Sequence, residues 1–588
     1  MKRADSTRMT VESAARAFAS IYGFAVFLFA LHVTWSTIVG HYTVPNFDDW
    51  RILDEFFSKP LFQWIVEDQG GHRVPITLGL LFVDYTLFGG HMLVLVLASL
   101  VCTGVGVAIL AGTLRFGDES RDPLARSCVG FACFLLCWAA ARFDLVWGIQ
   151  HSTLMAAMWS LVCMASLGVV VHRRVEEETP GHLPLLAAAG AAIAATFSQG
   201  VGFSCWAGLI TVGLIARLPA RTLFAYGLSA AVVLSVYLSG IEIPVRDSPQ
   251  LYAHLLWQVP GRILEYTLAF VGAPAVALIG MQSPVDARGF VVFAGAIGVA
   301  GYIALLLVFL IRRDRMTSLH VFAIGLPSTA LVGGMMVALN RHFWPETAMN
   351  PRFTTWATLF WIGLVCAVPV SRTRTQSRHG WPTLAHTLLF VVLSTLLVTD
   401  LQVARNGHAA RNSYLIYVST MHVLGIRWDK MAGTTRIPMP DRAYRVVERL
   451  RRDGRSFFDA PRTTWLGTPV SESFTLASDD RCAGAVTWTE RVRTRDGPAV
   501  LLTGWGLDRD SDGPLEQVLV ADRDGIVRGL GVFVAQDANL GRARLPARHF
   551  PWAGFIGRPS AGAPYRTYGV LDRGTSVCEL DAGDKSNG

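Results

Sequence analysis

Residues 288–311 read RGFVVFAGAIGVAGYIALLLVFLI and run straight into Arg312-Arg313. Apart from Arg288 the stretch has no charged side chain. As a helix it is about 36 Å long, enough to cross a hydrocarbon layer of about 30 Å. A helix pairs its backbone N–H and C=O groups within itself, and lipid cannot supply those partners. The stretch therefore reads as a membrane span ending at a basic loop. Comparable apolar runs recur on either side, at about 17–39, 91–114, 127–142, 152–171, 183–199, 201–217, 221–240, 319–339, 354–370 and 382–402. Two more stretches are ambiguous: 75–88 is short and carries Asp84, and 262–281 carries Glu265 and a Gly-Ala-Pro break. The expected fold is mostly α, a polytopic bundle of about 11–13 transmembrane helices.

The composition agrees. Of 588 residues, 52% are apolar and only 16% charged, and the mean hydropathy is +0.39. These values exclude a disordered chain, a disulfide miniprotein and a single small soluble domain. The charge is uneven. Residues 1–402 carry 49 of the 96 charged side chains, and 403–588 carry the other 47. An apolar body at 1–402 is thus followed by a tail of ordinary soluble composition. The net charge of +8 is spread over short basic clusters between apolar runs, which suits cytoplasmic loops and not a nucleic-acid surface. Five such loops, Arg115–Arg126, His172–Arg174, Arg217–Arg221, Arg312–Arg315 and Arg372–Arg378, fall on the side of the basic N-terminus. The first apolar run lacks a small-residue cleavage site and reads as an uncleaved anchor. This topology predicts a multi-pass protein of a bacterial inner membrane, with a cytoplasmic N-terminus and an extracytoplasmic tail. Residues 40–74 become the first outer loop. Seven of the nine cysteines lie in or beside the apolar runs; the tail has only Cys482 and Cys578. Outside the cytoplasm these two form one disulfide, or they stay as two buried thiols.

Within the tail, 403–470 reads as a helical linker. Residues 441–453 (DRAYRVVERLRRD) place Tyr444, Val447 and Leu450 on one side; the basic face is either solvated or set against lipid headgroups. From Ala483 onward AVTWTERVRT, AVLLTGWGL, QVLVADRDGIVRGLGVFVA and YRTYGVLD alternate in strand fashion, with a hairpin expected at Asp522–Gly525. We expect a jelly-roll-like β-sandwich over 471–588. The string Asp508–Gly513 is suggestive of calcium. The twelfth position of that loop is Leu519 where a bidentate Glu would be needed, so a polar turn is the better reading. No zinc spacing, P-loop or GxSxG elbow is present.

Residues 40–73 hold six acids and three bases. They begin with His41-Tyr42-Thr43-Val44-Pro45-Asn46-Phe47-Asp48-Asp49-Trp50-Arg51 and end with Glu67-Asp68-Gln69-Gly70-Gly71-His72-Arg73-Val74-Pro75. Adjacent carboxylates repel, so one has a raised pKa or the pair shares a cation. Such a group can serve as a general base towards a hydroxyl. Alternatively, Asp48 simply caps a helix.

With these residues the layout resembles the GT-C superfamily, polytopic glycosyltransferases that use polyprenyl-phosphate-linked sugars. In that superfamily an acidic motif follows the first helix on the outer side, here Phe47-Asp48-Asp49-Trp50. The chain is also similar to a bacterial set with an acid-His-Arg-x-x-Pro segment (Glu67 to Pro75) and a D-x-x-(L)-F-G-G element (Asp84 to Gly90). Further matching elements are Trp147–Gln150, Phe197–Gly200 and Pro351–Phe353. One departure is that His72-Arg73 follows Gly70-Gly71, where that set has Asn-Glu. The resemblance implies a GT-C-type fold, catalysis by Asp48 or Asp49, and a substrate-binding role for Glu67 and Asp68. It also implies tolerance of a divalent cation (Mg or Mn), although no ligand set here identifies one.

A polyprenyl phosphate leaving group needs positive charge, and Arg offers a bidentate fork. Arg73, Arg341 and Arg352 lie at predicted outer ends of spans, with His72 and His342 adjacent. They bind the donor phosphate, or they snorkel to headgroups. Asp144, Gln150, His151 and Gln199 lie near outer helix ends; Gln150 and Gln199 either touch substrate or pair helices. Glu242, Asp247 and Glu265 flank an outer loop and have no assigned role. Two functions follow. One is an inverting glycosyltransferase acting on a glycan, lipid or protein acceptor, with the β domain positioning the acceptor or serving as structure. The other is a nonenzymatic flippase of a lipid-linked glycan intermediate, which would place polar groups along the midplane in an internal repeat. No convincing repeat is found, and the acids gather in one outer loop.

Overall fold

The computed structural model describes residues 2–45, 48–69, 72–115, 122–141, 144–145, 147–175, 181–241, 260–276, 284–311, 316–341, 345–370, 388, 391–392, 395–396, 415, 417–428, 440–459, 462–478, 480–534, 550–557 and 565–580. Its helices are α1 (Lys2–Gly40), α2 (Asp49–Ser58), α3 (Leu61–Val66), α4 (Pro75–Leu87), α5 (Leu93–Gly112), α6 (Pro123–Ala141), α7 (His151–Val175), α8 (His182–Ser198), α9 (Cys205–Ile215), α10 (Ala220–Leu238), α11 (Pro260–Gly272), α12 (Pro284–Ile311), α13 (Ser318–Arg341), α14 (Thr354–Val370) and α15 (Pro440–Asp453). The chain forms two compact units. Residues 1–39, 65–80 and 94–402 make the first, and 40–64, 81–93 and 403–588 the second.

The first unit is helical. Ten of the eleven expected spans are helices; the eleventh, 382–402, lies almost wholly outside the described residues. Both ambiguous stretches are helical, as α4 and α11. Among the described residues six helices are long and apolar enough to cross a membrane: Ser20–Gly40, Leu93–Gly112, Gly148–Arg174, Ala220–Leu238, Ala287–Ile311 and Ser318–Arg341. Several of them keep apolar faces outward. On α10 Phe224, Leu228, Val232 and Val236 recur every four residues and are each more than half exposed. Such a stripe is costly in water and natural in lipid, the pattern of a multi-pass membrane protein.

Inside the bundle, close packing relies on small residues. A Cβ on Gly272 of α11 would lie 1.8 Å from the Val291 carbonyl oxygen, and one on Gly295 of α12 would lie 1.9 Å from that of Leu268. The two helices therefore meet backbone to backbone. Glu265 of α11 pairs with Arg288 of α12 at 2.6 Å, which gives one of the unassigned acids a structural partner. Glu242 and Asp247 lie outside the described residues. Arg174 donates to the carbonyls of Ala216 and Arg217 (3.3 and 3.0 Å), so the basic ends of α7 and α9 share one end of the unit.

The second unit is built on one eight-stranded sheet: β1 (Thr475–Leu476), β2 (Cys482–Thr494), β3 (Gly497–Asp508), β4 (Gln517–Ala521), β5 (Val527–Phe533), β6 (Pro551–Gly557), β7 (Arg566–Leu571) and β8 (Ser576–Leu580). The order is β1-β8-β7-β4-β5-β6-β3-β2. Neighbours are antiparallel except β1 and β8. The expected hairpin forms between β4 and β5: Asp522 Oδ1 accepts from the amides of Asp524 and Ile526.

Among the described residues a single curled sheet stands in place of the expected two-sheet, jelly-roll-like sandwich. Period-two alternation shows that strands have an inner face but leaves open what packs on it. Here the sheet curls until β2 meets β8. Cys482 and Cys578 are joined in the expected disulfide, with Cα atoms 6.1 Å apart. The 403–470 stretch is more than a linker. Tyr417 and Trp428 pack on Phe555 of β6, with ring centroids 4.9 and 6.2 Å away. At Asp508–Ser511 the carboxylates bond the turn itself and Arg481, as a polar turn does.

Candidate functional site

Residues 40–64 of the acidic loop fold into the second unit, and 65–73 belong to the first. Asp49 is the first residue of α2 and is buried, whereas Asp48 is exposed. Asp48 has helical backbone angles and makes no side-chain capping bond, so the cap reading is corrected. A residue caps well only when extended backbone turns its oxygen back onto the first turn. Further along α2, Asp54 accepts a fork from Arg445 of α15 (2.9 and 2.7 Å), and Glu55 pairs with Arg442 at 3.4 Å. The basic face of α15 is thus neither bare nor reserved for lipid. Trp50 is buried, its ring 5.7 Å from that of His422.

The Asp84 element belongs to the same unit. Asp84 Oδ2 accepts from the Met92 amide at 2.8 Å, which closes the Gly89-Gly90 turn. Tyr85 donates to Asp453 at 2.6 Å. These are structural uses of a motif that the sequence leaves without a role.

Several expected donor-site residues gather at one end of the helical unit. Arg341, at the end of α13, and Arg352, just before α14, both lie over the ring of Phe353, 5.7 and 5.0 Å from its centroid. Asp144, between α6 and α7, is fully buried; its Oδ2 accepts from the Thr355 hydroxyl at 2.6 Å. Among the described residues its Oδ1 has no hydrogen-bond partner. Burial holds this carboxyl well above the usual carboxylate range, against the opposing pull of Thr355 and Arg352. Gln199 Oε1 accepts from the Trp356 indole at 2.9 Å and so pairs α8 with α14. Gly202 makes the turn at Gln199 possible, because a Cβ there would lie 2.0 Å from the Ala195 carbonyl oxygen.

The His72-Arg73 pair joins this end from another direction. A Cβ on Gly200 would sit 2.8 Å from the Tyr237 hydroxyl and 3.1 Å from His72 Nδ1, so the three groups meet there. Arg73 is used differently from expectation. Its guanidinium donates to the carbonyls of Val66 (2.9 Å) and Ser239, and its amide donates to the Tyr237 hydroxyl at 3.2 Å. A cation on the last carbonyls of α10 is a helix-end tie. Glu67 and Asp68 are half-buried, and Gln69 beside them is buried, with neither side-chain polar atom partnered among the described residues. Gln150 accepts from Thr153 at 3.2 Å, a local bond within its own helix start. His151 meets Ser99 at 3.2 Å and links α7 to α5. His342 lies outside the described residues.

Sequence reasoning missed Thr355, Trp356, Tyr237 and Gln69. Three of them sit within apolar helices and look like span residues; Gln69 lies inside a motif that was read for its charges. Among the described residues no group of three His, Cys, Asp or Glu side chains is placed to hold a metal ion. Comparison with family profiles, with curated proteins and with solved structures returns no match to this chain.

Proposed function

We propose that this protein is a membrane glycosyltransferase of GT-C type. It moves a sugar from a polyprenyl-phosphate donor to a glycan, lipid or protein acceptor at the extracytoplasmic face of a bacterial inner membrane. One observation carries the reading: Arg341 and Arg352 flank one aromatic ring beside a buried acid at a helix-bundle end. Each guanidinium lies within reach of the same Phe353 ring, and an anion bound beside either one is favoured more strongly in a low-dielectric setting. A phosphate offers the oxygens that guanidinium forks prefer. The lipid-facing apolar stripes suit a polyprenyl tail.

In this reading Arg341 and Arg352 hold the donor phosphate and take up its growing charge. The acceptor hydroxyl gives its proton to a carboxylate base, for which the resemblance puts forward Asp48, the exposed member of its adjacent pair. The hydroxyl oxygen bonds to the anomeric carbon as the carbon–phosphate-oxygen bond breaks, which inverts the configuration and releases polyprenyl phosphate. His72, Glu67 and Asp68 are left to contact the sugar.

The test is transfer from radiolabelled polyprenyl-phosphate sugars by the full chain in lipid nanodiscs, with and without a chelator to read any Mg or Mn dependence. Arg352→Ala should lower transfer roughly 10- to 100-fold, and Asp48→Asn roughly 10²- to 10⁴-fold. Full activity in both variants rejects the assignment. Movement of the labelled lipid between leaflets, with no transfer by the wild type, makes the protein a flippase instead.

A further inference from the structure

The second unit contains a cleft of about 990 Å³ that the proposed chemistry leaves unused. It lies between residues 422–427, α15, the β2–β3 turn and the near ends of β5 and β6. Its volume is near the upper end of the range for ligand sites, room for more than one small ring. Its charged lining holds five arginines and three acids; Arg445 and Arg528 are engaged by Asp54 and Asp522 and Arg451 by the His422 carbonyl. Arg427 forks onto Asp496 (Nε to both oxygens, 2.9 and 3.1 Å), Arg495 pairs with Asp441, and Glu448 adds an exposed carboxylate.

The Arg427 guanidinium has more N–H groups than its bonds to Asp496 use, and the exposed Glu448 carboxylate offers acceptor oxygens. An anionic ligand would meet a carboxylate beside these arginines. A nucleobase would need an open aromatic face, yet Tyr444 is buried and capped by Arg495 at 5.2 Å. A hydroxyl both donates and accepts, so a chain of hydroxyls can accept from Arg427 and donate to Glu448.

We infer that this cleft binds a neutral oligosaccharide, through Glu448 and the Arg427–Asp496 pair. This rests on the transferase reading and makes the bound glycan its acceptor.

The full chain in nanodiscs, without donor, is tested against neutral tetra- to hexasaccharides of gluco-, manno- and arabino-type by saturation-transfer NMR and titration. Binding at millimolar or lower concentration is expected. Glu448→Gln and Arg427→Gln should each weaken it roughly tenfold, the loss of one charge-assisted hydrogen bond. In transfer assays the same variants should raise the acceptor KM with kcat unchanged. The inference is overturned if no neutral oligosaccharide binds, if only phosphorylated or sulfated ones bind, or if both variants bind like the wild type. Binding without any transfer would retire the enzyme and leave the cleft; transfer without binding would do the reverse.

Discussion

His422 is fully buried, its ring near those of Trp50, Tyr444 and Phe457. Burial, and then the neighbouring Arg451, push its imidazole down to about 3. The unfolded chain takes up a proton near pH 6.5, whereas the folded chain resists until about 3. Stability from this site is therefore present above about pH 6.5 and is lost as the pH falls through that window. In denaturant series from pH 7 to pH 4, the second unit should lose up to about 1.4 kcal/mol per pH unit from this group. His422→Phe should flatten that dependence; an unchanged slope would show that other groups carry it. Nothing in the sequence marks His422, because the rings around it come from residues 50, 444 and 457. Arg352 was legible as an arginine at a span end. Arg73 looked the same there, and its use on two carbonyls follows from where α10 happens to end.

Helix α15 shows how far periodicity reaches. The spacing of Tyr444, Val447 and Leu450 predicts an inner face, and all three are buried. The spacing could not say what its arginines meet, because Asp54 and Glu55 lie almost 400 residues earlier in the chain. Arg445 is largely exposed, so the pair should be weak despite its fork. A double-mutant cycle with Arg445→Ala and Asp54→Ala should give a coupling of about 1 kcal/mol or less. A coupling of several kcal/mol would mean that α2 depends on this pair, and not on Trp50 and Trp64, for its place.

For the whole chain, apolar run length and charge placement were enough to find ten of the helices. A span must satisfy its own backbone in lipid, so its signal is local and strong. The sheet is a different case. Its strands were legible from alternation, but eight strands can pair in many orders, and only the three-dimensional packing chose one sheet curled back on itself. The Cys482–Cys578 bridge fastens that curl across 96 residues of chain. Replacing both cysteines by Ser should cost the second unit about 2–5 kcal/mol. Alkylation of unfolded, unreduced protein followed by mass spectrometry should leave only these two thiols unlabelled. From composition and order alone came the membrane class, the positions of the apolar helices, the strand-rich tail and the bridging cysteines, because each depends on neighbours in sequence or on bulk chemistry; the number of spans did not, since only six of the described helices are long and apolar enough to cross a membrane. Folding in space settled which arginines share a ring, which acid is buried, and why residues 40–64 of the acidic loop join the tail. The buried acid's bond to Thr355 and the loop's ties to α15 join residues hundreds of positions apart, and no local pattern encodes them.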